Sequence, residues 1–152
     1  VDEALARLSP QVQEKGLRVE VSLPQGLPPV LADQDRLLQV LINILSNAVE
    51  FTPPGGLVRI DAASREGEVV VRVSDTGAGI PEEDLPRIFD RFYRVDKARS
   101  RRLGGTGLGL SIAREIVRAH GGRIGIESEL GVGTEVWFTL APAPPPRPAA
   151  EG

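Results

Sequence analysis

The sequence predicts an α/β fold, a two-layer sandwich of a mixed β-sheet and helices. Three observations predict it. Apolar and polar residues alternate through several short runs, most clearly at Val69, Val71 and Val73. Two longer runs, 35–51 and 107–119, instead repeat apolar residues every three or four positions. These helical runs fall between pairs of strands, so the order of elements is mixed.

Taken in order, residues 1–15 are polar and helix-compatible but too short to hold a helix alone. They are expected to be the end of something upstream, and the opening Val1 fits a piece of a longer protein. Leu17, Val19, Val21 and Leu23 alternate with Arg18, Glu20 and Ser22, the pattern of a half-buried strand. Pro24, Gly26, Pro28 and Pro29 then break the chain. Asp33 is a helix cap for 35–51. Leu37, Leu38, Leu41, Ile44, Leu45 and Ala48 form the apolar stripe of that helix. Gln39, Asn43, Asn47 and Glu50 share another face. Pro53-Pro54-Gly55-Gly56 ends it. Strands at 57–63 and 68–75 follow, joined near Glu66-Gly67, then a Gly-rich turn at 76–81 and a short helix around 82–89. Residues 93–105 read as irregular and basic. The helix at 107–119 places Leu108, Ile112 and Ile116 on one side. Strands near 123–128 and 134–140, linked by Gly131-Val132-Gly133, close a domain spanning 17–141. The Pro/Ala-rich stretch 142–152 reads as a disordered tail.

Composition narrows the function. A chain of 152 residues, 41% apolar and 26% charged, suits one ordinary globular domain. It has no cysteine, so disulfides and thiolate metal sites are excluded, in keeping with a reducing cytoplasm. A net charge of −3 with 4% aromatics argues against a nucleic-acid binder. No apolar run approaches the ~20 residues that cross a bilayer, and no signal segment opens the chain.

Four features carry chemistry. Asn43 and Asn47 stand one above the other on a helix, offering carboxamide oxygens to a hard cation and amide groups to phosphate oxygens. An Asn pair facing water is the plain alternative. In Asp75-Thr76-Gly77-Ala78-Gly79-Ile80-Pro81, the alternation of the preceding strand turns Asp75 to the apolar side. A carboxylate there needs donors, such as the exocyclic amine of adenine, and Gly77 and Gly79 let backbone approach a flat ring. A turn in which Asp75 caps Gly77 is equally compatible. Gly104-Gly105-Thr106-Gly107-Leu108-Gly109-Leu110 opens a helix and is suited to cradle phosphates. A dinucleotide-binding turn does not fit, because no strand precedes it, and the Gly-Lys-Ser/Thr of nucleotide triphosphatase loops is missing. Finally, Arg91, Arg94, Lys97, Arg99, Arg101 and Arg102 crowd a segment anchored by Phe89 and Phe92. That segment is either a lid with cations for phosphates or a solvated basic loop. His120, the only histidine, sits at a helix end where free carbonyls wait.

In this order the features resemble the catalytic ATP-binding domain of sensor histidine kinases, within the superfamily that includes gyrase, Hsp90 and MutL. Asn43-x-x-x-Asn47-Ala48 looks like that family's N box and Asp75-x-Gly77-x-Gly79-Ile80-Pro81 like its G1 box. Phe89-x-x-Phe92-Tyr93-Arg94 looks like the F box, Gly105 to Leu110 like the G2 box, and Gly131-x-Gly133-Thr134 like the last conserved turn. The match runs from about Leu17 to Leu140.

The resemblance implies a Bergerat-type fold that uses ATP and Mg2+. Asp75 would bind the adenine amine, with Gly77, Gly79 and Ile80 lining the base pocket and Thr134 supporting it. Asn43 and Asn47 would hold the metal and phosphates. Tyr93, Arg94 and Lys97 would reach the ribose and phosphates from a lid, with Arg94 catalytic beside Asn43 and Asn47. Gly105, Thr106, Gly107, Leu108, Gly109 and Leu110 would contact the phosphates. Residues 1–16 would end a dimerisation helix, whose histidine accepts the phosphoryl group and lies outside this chain. The isolated domain would be a monomer. Its parent would be a homodimer serving a response regulator, with the domain in the cytoplasm even where the parent is anchored in the inner membrane. One departure stands out: the family usually carries Lys or Arg where this chain has Glu50. A degenerate regulatory module and an anti-sigma-type serine kinase are the alternatives.

Overall fold

The computed structural model describes residues 2–24, 33–65, 68–77, 79–80, 82–89 and 109–141. Helix α1 covers Asp2–Lys15 and strand β1 Arg18–Ser22. Helix α2 covers Gln34–Phe51, strand β2 Leu57–Arg65 and strand β3 Glu68–Asp75. A 3₁₀ helix over Glu82–Arg87 replaces the predicted short helix. Helix α3 covers Gly109–Ala119, strand β4 Ile124–Glu129 and strand β5 Gly133–Leu140.

The five strands form one sheet in the order β1-β2-β3-β5-β4. β1 and β2 run parallel with α2 as their crossover, and the other pairings are antiparallel, so the sheet is mixed as predicted. Val58, Ile60 and Ala62 of β2, Val69, Val71 and Val73 of β3, and Val136, Phe138 and Leu140 of β5 are buried at alternate positions. The period-2 pattern thus delivers one apolar face, and the helices cover it.

Asp33 caps α2: its carboxylate accepts from the N–H groups of Asp35 at 2.9 Å and Arg36 at 3.2 Å. The buried residues of α2 are Val40, Leu41, Ile44, Leu45, Ala48 and Val49. Leu37 and Leu38 are only half-buried, while Val40 and Val49 join the buried set because α2 packs against α1 and α3 as well as the sheet. In α3 the predicted stripe is rotated. Leu110, Ala113 and Val117 are buried, while Ile112 and Ile116 are half-buried and Leu108 lies outside the described residues.

Helix α1 does not stand free. Ala4 and Leu8 are buried in the common core. Lys15 Nζ donates to the carbonyls of Val49 at 2.7 Å, Glu50 at 2.8 Å and Thr52 at 2.9 Å. Helix α2 has no basic residue in its last turn, so Lys15 supplies the missing positive charge at its C-terminus. Gly55 N–H bonds back to the Lys15 carbonyl at 3.0 Å, and Arg18 N–H to that of Gly56 at 2.9 Å. The α1–β1 corner and the α2–β2 turn are therefore one fastened unit.

The uncovered sheet face carries paired charges, Arg59 with Glu20, Arg72 with Asp61 and Arg123 with Glu68. Each contributes little in water. Trp137 lies flat over Gly125 on this face, where a Cβ would collide with its indole.

Candidate nucleotide site

The C-terminal end of β3 places Asp75 where the alternation predicts. It borders a cleft, open to solvent, between α2 and the sheet. Ile44, Ala48 and Phe51 of α2 form one wall, and Val73, Ile80, Ile126 and Val136 contribute apolar surface around Asp75. Asn47 projects into the same space, so helix and strand face each other across it with an amide on one side and a carboxyl on the other.

Burial pushes the Asp75 carboxyl above its ordinary value of 3.8, partly offset by backbone hydrogen bonds from Gly77 and Thr134. The Gly77 N–H lies 2.8 Å from Oδ1. Asp75 thus caps Gly77, as the turn reading expects, and also lines the cavity.

Glycine is required around this carboxyl. A Cβ at Gly77 would stand 2.5 Å from the Phe51 carbonyl oxygen and 2.8 Å from Asp75 Oδ1. Gly79 has φ +80°, and a Cβ there would meet the backbone of Glu129 and Leu130. The 75–80 turn is thereby pressed against α2 on one side and the β4–β5 hairpin on the other.

Asn43 lies one turn before Asn47. Its Nδ2 is buried and has no hydrogen-bond partner among the described residues. A buried amide donor without an acceptor is costly unless a ligand oxygen completes it. Gly109, the first residue of α3, packs against it: a Cβ there would lie 3.9 Å from Asn43 Cβ. Leu110 is buried and lines the cavity, so it serves as pocket wall. Glu50 is half-buried and is not among the residues that border this cavity.

Thr134, opposite Asp75 in the β3–β5 ladder, also lines the cavity. Ile80 is held by its N–H, which donates to Ser128 Oγ at 2.7 Å. Ser128 gives no sign of itself in the sequence, being one serine in a short strand. Phe89 packs against the core with Arg114 5.7 Å from its ring centroid. Tyr93, Arg94, Lys97, Gly105, Thr106, Gly107 and Leu108, and the 142–152 tail, lie outside the described residues.

His120 behaves as a helix-end histidine: its Nδ1 lies 2.8 Å from the Ile116 carbonyl. Its Nε2 accepts the Asp33 N–H at 3.1 Å, joining the end of α3 to the start of α2.

Comparison with known proteins agrees with this geometry. Residues 32–144 match the family model described as histidine kinase-, DNA gyrase B- and HSP90-like ATPase. Sensor histidine kinase WalK of Bacillus subtilis is 56% identical over 121 residues, which cover 78% of this chain and 20% of WalK. The chain therefore spans about a fifth of that relative. Among solved structures, the nucleotide-free catalytic domain of histidine kinase ThkA has a TM-score of 0.80 at 31% identity, covering 93% of this chain and 89% of that one. Full-length ShkA in complex with AMPPNP has a TM-score of 0.79 at 38% identity, covering 98% of this chain and 31% of ShkA. From motif order, sheet topology and these likenesses together, the chain belongs to the family of histidine kinase-, DNA gyrase B- and HSP90-like ATPases.

Proposed function

We propose that this domain binds ATP with magnesium on its phosphates. It transfers the γ-phosphoryl group to a histidine on a separate dimerisation domain of its parent protein. The observation that supports this most is Asp75, a carboxylate held at the end of an apolar slot with its charged form disfavoured. The backbone N–H groups of Gly77 and Thr134 leave part of the buried carboxylate's accepting capacity unused, and the exocyclic amine of a purine is a donor suited to it.

The phosphates lie toward Asn43 and Asn47. The orphaned Nδ2 of Asn43 is a ready donor for a phosphate oxygen. Among the described residues no cluster of three or more His, Cys, Asp or Glu could hold a metal. The carboxamide oxygens of Asn43 and Asn47 would be the protein's share of the coordination, with phosphate oxygens and water completing it. A magnesium ion held by these oxygens would supply neutralisation of charge on the phosphate oxygens. Arg94, with Tyr93 and Lys97, is assigned to the transferring group and the ribose, and Gly105 to Leu110 to the phosphates, as the family resemblance implies. The bond from the γ-phosphorus to its bridging oxygen breaks, one to an imidazole nitrogen forms, and ADP leaves. Residues 1–16 are the end of the dimerisation helix and its linker. The parent works in the cytoplasm as a homodimer, passing the phosphoryl group to a response regulator.

Calorimetric titration with a non-hydrolysable ATP analogue, with and without magnesium, tests this reading. Tight binding should require magnesium and weaken about 100-fold or more in Asp75→Ala, which removes a charge-assisted hydrogen bond. Unaltered affinity in Asp75→Ala removes the assignment. Incubation with the cognate helical-hairpin domain should yield an acid-labile phosphoryl group on that partner.

A further inference from the structure

Three hydrogen bonds meet at Ser128 Oγ on β4. The Ile80 N–H donates to it at 2.7 Å. It donates to the Gly133 carbonyl at 3.0 Å and lies 2.8 Å from Thr134 Oγ1. A hydroxyl has one proton and two lone pairs. Here the proton goes to Gly133 and one lone pair to Ile80. The contact with Thr134 is then completed by the Thr134 proton. That is the only proton the Thr134 side chain has, so toward the cavity Thr134 Oγ1 can only accept. Asp75, its ladder partner, accepts as well once ionised. The wall that these two residues share is a double acceptor.

We propose that Ser128 is a specificity-determining positioning residue. By taking the Thr134 proton, it makes this wall select a purine with an exocyclic amine over one with a carbonyl at that position. The proposal rests on the reading that the cavity holds a purine nucleotide. An amine brings two N–H donors to two acceptors. A carbonyl brings lone pairs against lone pairs, and with Thr134 locked no donor is available to relieve them. Were the Thr134 proton free, it could turn to the cavity and donate to that carbonyl, leaving discrimination to Asp75 alone. Ser128 itself does not border the cavity; it acts through Thr134.

A purely structural role is the rival, since Ile80 is buried and its N–H needs an acceptor. The two roles differ in one readout. Dissociation constants for adenosine and inosine triphosphate analogues are measured on the wild type, Ser128→Ala, Ser128→Thr and Thr134→Val. The wild type should prefer the adenosine form. Ser128→Ala should narrow that preference about tenfold, the scale of one polar contact in a recognition site. Ser128→Thr, which keeps the hydroxyl, should restore it. A loss of fold lowers both affinities together and cancels in the ratio. Should Ser128→Ala not fold, Thr134→Val reads the same quantity, because it removes the second acceptor and should also narrow the ratio. An unchanged ratio in whichever variant folds overturns the role of Ser128 while leaving the ATP site in place. A wild type that binds neither nucleotide overturns the purine reading and this proposal with it.

Discussion

At the residue scale, Asp75 sets function against stability. Its folded pKa is raised above 3.8 by burial, so the unliganded fold keeps a proton that the unfolded chain has already released. The stability this brings is fully present below pH 3.8 and is lost as pH rises through the raised folded value. Above that raised value the empty domain carries a destabilising charge. Asp75→Asn keeps an oxygen for the Gly77 N–H and removes that charge. Thermal scans should show the empty variant more stable at pH 7, by about 2 °C or more, with a flatter profile above pH 4. Two glycines make a second contrast. Gly79 and Gly131 both have positive φ, at 80° and 82°, but only at Gly79 would a Cβ meet neighbouring backbone. Gly131→Ala should cost about 1 kcal/mol and Gly79→Ala about 3 kcal/mol or more in denaturant unfolding, the difference being the collision. At His120, an Nε2 that accepts the Asp33 N–H must be bare, with the proton on Nδ1. Nitrogen-15 NMR of the single imidazole near pH 8 should show that tautomer, and Nε2–H would contradict the α3–α2 link.

At the element scale, Lys15 ties α1 to α2 through three carbonyls. Lys15→Met keeps the aliphatic stem and leaves those carbonyls to water, so it should cost about 2 kcal/mol, measured as a shift of the urea midpoint. Strands and helices with a clean period were legible. Val69, Val71 and Val73 announced β3 and the side on which Asp75 would lie, and Asp33 announced the start of α2. Less legible was the face of α3. Its run carries apolar residues on more than one side, and the choice of 110-113-117 over 112 and 116 is made by α2 and the sheet, which periodicity cannot see. The segment from Glu82 is 3₁₀ and not α-helical; a run of six residues is too short for propensity to decide between them. The Lys15 fastening was invisible, because a lysine 34 to 37 residues before its partners leaves no local trace.

At the scale of the whole molecule, the site residues Asn47, Asp75 and Thr134 were each named from the sequence, and the structure gathers them round one cavity. Their motifs carried that information because each needs special chemistry: paired amides, a carboxyl after an apolar strand, glycines where backbones touch. What the motifs did not carry was the strand order. β3 pairs with β5 and not with β4, and no residue pattern fixes a pairing between Asp75 and Thr134 across the intervening stretch of chain. Ser128 went unrecognised partly for this reason: Gly133 and Thr134 are its neighbours in the β4–β5 hairpin, but Ile80, 48 residues away, reaches it only in the assembled fold.

That pairing also dates the birth of the pocket. Two facing parts of its wall are made early in the chain, by α2 and β3, and the rest only when β5 docks between β3 and β4. During synthesis, a polypeptide that has not yet cleared the ribosome through Leu140 has a helix face and a carboxylate but lacks the walls that Thr134 and Val136 complete. Nucleotide in the cell can therefore rescue the finished domain by mass action, but offers no help to the nascent one.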